Sequence, residues 1–124
     1  MGQIKLNKQS IPEEWQIVQQ VEAADDIPKD IAKHGIVLVG PARKPTWMAF
    51  DCPCERGHRI MVNLDHSRWP YWKIWQRRPI SISPSFDILT GDRRCHFVVQ
   101  GGNVKWLVKW RIAKENCGLR FNKA

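Results

Sequence analysis

The chain has 124 residues, 43% of them hydrophobic and 26% charged, with a net charge of +8. That length suits one domain with a modest core, a size at which an extra staple is common. No apolar run approaches the ~18–20 residues that cross a bilayer, and MGQIKLNKQS lacks the apolar stretch of a secretory leader, so we expect a cytoplasmic protein with no membrane contact.

Charge is uneven: residues 1–30 hold three Lys and six Asp or Glu, a net −3, which leaves +11 on the rest. A basic body attracts nucleic acid or acidic protein surfaces, although charge alone predicts contact rather than function. Residues 1–10 read as a loose or strand-like arm. In IPEEWQIVQQVEAA, residues 11–24, the apolar Ile11, Trp15, Val18 and Val21 fall near helical spacing, with Pro12 and two glutamates suited to a first turn. The spacing predicts a helix there, and a short helical turn in DDIPKDIAKHG ended by Gly35.

After Gly35 the pattern turns to short strands. IVLVG is an apolar run, and TWMAFDC and HRIMVNL flank a cysteine-bearing turn as two arms of a hairpin. PYWKIW alternates, setting Trp72 and Ile74 against Lys73 and Trp75. ISISPS sets Ile80 and Ile82 on one face and Ser81 and Ser83 on the other. CHFVVQ and VKWLVKW, joined by Gly101, Gly102 and Asn103, make a second hairpin. The fold expected is mainly β (α+β): a small antiparallel sheet or sandwich with a zinc knuckle and an N-terminal helix. We expect one domain over 1–124, divided into an arm and helix (1–26), a β core (27–106) and a basic extension (107–124).

Four cysteines in a cytosolic chain argue against a disulfide framework. A turn between strands can aim two nearby thiolates at one ion, which suits Cys52 and Cys54, and Cys95 opens a later strand. Cys95 and His96 are adjacent, so a regular strand turns them to opposite faces. His58, four residues past Cys54, is the candidate fourth ligand for zinc, with Cys117 a further one. ISISPSF carries three serines, and Ser83 or Ser85 on the stiff Ser-Pro-Ser turn is a reasonable seat for a nucleophile. His96 is the attractive base and His58 the next, while His34 and His66 are expected in solvated loops. An acidic partner stays open among Glu14, Asp51 and Asp87. Trp47, Trp106 and Trp110 are expected in the core. In RWPYWKIWQRR the rings are expected to staple the core while the basic tips reach water; the competing reading is stacking on single-stranded nucleic acid.

IPKDIAKHGIVLVG, FDCPCERGHRIMVNLDHSRWPYWKI, ISISPSF and CHFVVQGGNVKW, in that order, resemble a small bacterial and phage family. Its members read Cys-Pro-Cys-Gly-Cys-Gly, then Pro-Ser-Ile or Pro-Ser-Val, then a Cys…His-aromatic strand leading to a glycine-containing hairpin. The resemblance covers about residues 27–106. It differs at Arg56, where the family has a third cysteine, and at the touching Cys95 and His96, which many members separate. Some members lie in operons with ubiquitin-like proteins and their conjugating enzymes, linked to phage defence. The resemblance implies a zinc protein with Cys52, Cys54 and Cys95 as metal cysteines. It further implies a peptidase that trims or removes a ubiquitin-like protein, with Ser85 and His96 in the matching positions. Two rivals remain: a zinc-dependent hydrolase with Glu55 as base, and a non-catalytic zinc module that binds nucleic acid or a conjugation-pathway protein.

Overall fold

The computed structural model describes residues 14–91 and 93–107. Among these residues eight strands form two four-stranded sheets. The first sheet runs in the order β1 (Gln16–Val21), β2 (Gly35–Val39), β3 (Trp47–Asp51), β4 (Arg59–Asn63). The second runs β5 (Lys73–Arg77), β6 (Ile80–Thr90), β7 (Arg93–Gln100), β8 (Asn103–Trp106). All pairings are antiparallel except β1 with β2.

The residues expected to form the N-terminal helix instead give β1. Ile17, Val18 and Val21 are β-branched and gain more from a ladder than from a helix, and the neighbouring β2 supplies one in register from Gln16↔Gly35 to Val21↔Val39. Ile11, Pro12 and Glu13 of that expected first turn lie outside the described residues. A 3-10 turn at Ala24–Asp26 is the one helical element described. The helical turn expected before Gly35 is absent: His34 takes a left-handed φ of 69° and Gly35 starts β2.

Alternation decides which face each strand buries. Ile36, Leu38, Met48, Phe50, Ile60 and Val62 from the first sheet meet Ile80, Ile82, Phe86, Phe97 and Val99 from the second. β2 is buried along its whole length because its other face is covered too. Ile27 and Ile31, in the connection from β1 to β2, pack with Val37, Val39, Ala49 and Trp47 on the outer side. Arg59 ties that connection down, donating to Pro28 O and Lys29 O at 2.9 and 2.8 Å. Phe50, Phe86 and Phe97 form an aromatic centre with Phe86 5.2 Å from each of the other two rings. Phe97 is fully buried, so Phe97→Ala is expected to cost about 3–5 kcal/mol, read as a lowered urea midpoint with an unchanged slope.

The tryptophans divide. Trp72 is half-buried and lies flat on Phe86, with the ring planes 2° apart. Trp47 packs on the outer cluster, but Trp106 sits exposed beside Phe97 rather than in the core, because β8 is an edge strand; Trp110 lies outside the described residues. The expectation that the rings of RWPYWKIWQRR staple the core holds for Trp72 and fails for Trp69 and Trp75, which are 86% and 62% exposed. No helix among the described residues is long and apolar enough to cross a membrane.

Candidate functional site

The turn between β3 and β4 folds back tightly. Cys52 N donates to His58 O at 3.0 Å and Glu55 N to Cys52 O at 3.0 Å, with Glu55 and Gly57 both left-handed (φ 61° and 94°). The fold-back brings His58 Nδ1 to 3.8 Å from Cys54 Sγ. Cys95 on β7 faces the interior, buried among residues of both sheets. One ligand atom from each of Cys52, Cys54, His58 and Cys95 lies within 4.8 Å of the others, so the cluster joins the turn of the first sheet to a strand of the second.

This group fits a metal ion. Tetrahedral zinc with Zn–S near 2.3 Å places its sulfurs ~3.8 Å apart, a spacing such a cluster reaches with small adjustments. The imidazole supplies an independent sign: His58 Nε2 is buried with no hydrogen-bond partner. Burial holds His58 below its ordinary pKa, helped by the charge of Arg93, which favours the neutral ring that a metal needs. Burial also pushes the Cys52 thiol up to about 12, a cost that a bound cation would relieve. Cys52 and Cys54 are free thiols. Cys117 lies outside the described residues. Glu55, weighed as a base beside the metal, is instead exposed and paired with Lys33 at 3.0 Å.

A second constellation lies on the outer face of the second sheet. Cys95 and Phe97 point inward, so His96 between them points out. On β6, Phe86 points inward and Ser85 outward. The outcome is Ser85 Oγ 2.9 Å from His96 Nε2. The β6–β7 register slips between Ile82 and Phe86, so Ser83, Pro84 and Ser85 bulge out of that ladder, while Ser83 keeps its partner Lys73 on β5. Trp72, anchored in the core, donates Nε1–H to Ser85 O at 3.3 Å and holds that bulge from beneath. Ser83 is engaged elsewhere, as acceptor of the Trp75 indole N–H.

Of the acidic residues considered, Asp87 lies directly opposite His96 in the register. Both of its oxygens are taken by Arg94, whose Nε and Nη2 each donate at 2.8 Å. Those hydrogen bonds hold the Asp87 carboxyl below its usual range. A depressed carboxyl stabilises the fold above its unfolded-state pKa and loses that contribution as pH falls through the depressed value. The pair is nearly half exposed, so Asp87→Asn is expected to cost less than about 1 kcal/mol at neutral pH and to flatten the acid limb of the stability profile in urea melts. Asp51 pairs with Arg59, and Glu14 lies against Gly102, both apart from His96. His34 stacks half-buried on Trp15 rather than standing in solvent, while His66 stacks on exposed Tyr71. A cleft of about 610 Å³ beside the cysteine turn, lined by Trp15, His34, Pro53 and Arg59 among others, contains neither Ser85 nor His96.

The engagement of Trp75 with Ser83 and the support from Trp72 were not foreseen. The alternation of PYWKIW did give the faces on which the two rings lie, but not which serine each would reach. The described residues thus form two β sheets with a Cys/His cluster between them and a serine–histidine pair on an outer face. The family described as "Bacterial ubiquitination-like system serine protease (BubE)" matches residues 23–107, well over half of the chain, and the chain belongs to that family. No curated protein and no solved structure gave a significant match.

Proposed function

We propose that this protein is a serine-type peptidase or isopeptidase that processes or removes the ubiquitin-like protein of a bacterial conjugation system. The observation that carries this reading is the 2.9 Å approach of Ser85 Oγ to His96 Nε2, in a chain whose family is labelled a serine protease. Ser85 Oγ attacks the scissile carbonyl while His96 Nε2 takes its proton. The tetrahedral adduct collapses as His96 returns the proton to the departing amine, leaving an ester on Ser85. Water, deprotonated by the same imidazole, then hydrolyses that ester. With both Asp87 oxygens engaged by Arg94, the reading is a dyad with Asp87 as a nearby negative charge rather than a hydrogen-bonded orienter.

Cys52, Cys54, His58 and Cys95 would hold one zinc ion in a structural role. Four protein donors close a tetrahedron, whereas catalytic zinc sites keep a position open for water. Zinc there would supply a cross-link between turn and strand and take no part in the chemistry at Ser85. The test is incubation of the purified protein with a ubiquitin-like precursor and with its conjugates. A shortened precursor or a released target, seen by mass spectrometry, is the expected result. Intact substrates with folded, metal-loaded protein would defeat the reading.

A further inference from the structure

Trp75 leaves a large apolar ring open to water against Ser83, two residues from the proposed nucleophile. It sits where the β5–β6 register slips between Ile74 and Gln76, and that bulge turns the indole out of the ladder. The ring is 62% exposed, yet it is held. Its N–H donates to Ser83 Oγ, and Lys73 Nζ lies 4.1 Å over the ring. Ser83 and Ser85 are two residues apart and reach in opposite directions, Ser83 to Trp75 on β5 and Ser85 to His96 on β7. A peptide that delivers a carbonyl to Ser85 must lie across this outer face. On the far side of His96 it meets the Asp87–Arg94 ion pair. Towards β5 it meets the indole. Leu89, the exposed large apolar residue of β6, lies beyond Asp87.

We propose that Trp75 is a specificity-determining residue, forming the subsite that takes an apolar side chain of the extended peptide next to the scissile bond. The inference rests on the peptidase reading with Ser85 as nucleophile. Ser83 and Lys73 hold the edge and one face of the ring, so the opposite face meets substrate without first losing much side-chain freedom. Aromatic rings held in this manner contribute more to binding than their neighbours do.

The test uses the full-length protein and a fluorescein-labelled peptide spanning the processing point of the ubiquitin-like precursor. For Trp75→Ala, KM is expected to rise about tenfold with kcat within about twofold of wild type, and Trp75→Phe is expected to recover part of the loss. Trp69→Ala removes a still more exposed ring, in the connection between β4 and β5, and is expected to leave both parameters unchanged. Binding is read separately, by anisotropy, in the Ser85→Ala background, where adding Trp75→Ala is expected to weaken the peptide about tenfold. An unchanged KM, or a fall in kcat at constant KM, overturns the assignment, the latter because it would mean that Trp75 acts through the serine-bearing bulge. If wild type cleaves nothing, the peptidase reading fails, and the binding arm alone decides for or against Trp75. Equal binding with and without the indole, or no binding at all, overturns it.

Discussion

Ser85→Ala is expected to abolish processing of the ubiquitin-like precursor, with kcat falling by a factor on the order of 10⁴ or more, while the fold survives. The serine is half-buried on the outer face, and its hydroxyl contacts His96 rather than the core, so its loss removes little packing. His96→Ala is expected to be about as damaging, and the double variant scarcely worse than either, because nucleophile and base act as one unit. Ser83→Ala separates the two candidate serines. Its hydroxyl serves Trp75, so the loss in kcat/KM is expected to stay below about tenfold, mostly in KM. Quenched time points resolved by mass spectrometry measure all four. Cleavage that persists in Ser85→Ala at a comparable rate would remove Ser85 from the mechanism.

The second large effect concerns the cluster between the sheets. Metal analysis of protein purified under reducing conditions is expected to give about one equivalent of zinc, and Cys52→Ser to lower stability by at least about 3 kcal/mol. The size follows from position: Cys52 is buried, and the cluster it belongs to spans both layers of the sandwich. Removing one ligand would loosen the cross-link and leave the other donors buried without a partner. A chelator added with reductant is expected to lower the melting temperature of wild type and of Ser85→Ala alike, a readout that does not depend on activity. Loss of activity with an unchanged melting temperature would instead favour a catalytic metal. An unchanged melting temperature with activity intact would end the case for a structural ion.

Much of the second half of the molecule was legible from alternation alone. ISISPS, PYWKIW and the hairpin around Gly101 and Gly102 each have a side-chain period of two, and Ile80, Ile82 and Ile74 turn inward as that period requires. The cysteine turn was readable because ligand-bearing residues crowd a short loop between two β-rich arms. The first strand was not. The apolar residues in and before it satisfy a helical period, and only the tertiary partner β2 decides for a strand over Gln16–Val21, a non-local preference absent from the segment itself. Which serine meets His96 was hidden for a different reason. It depends on where the ladder slips between Ile82 and Phe86, and a bulge leaves no periodic trace in residues that are all small or proline.

Cys95 and His96 share a single peptide unit, and the pleat of β7 sends one into the interior and the other to the surface. The inward aim of the cysteine and the seat of the imidazole are therefore set by one local geometry. A homologous strand with one extra residue between the two would aim both at the same side, and would have to kink at that point to restore the division of labour.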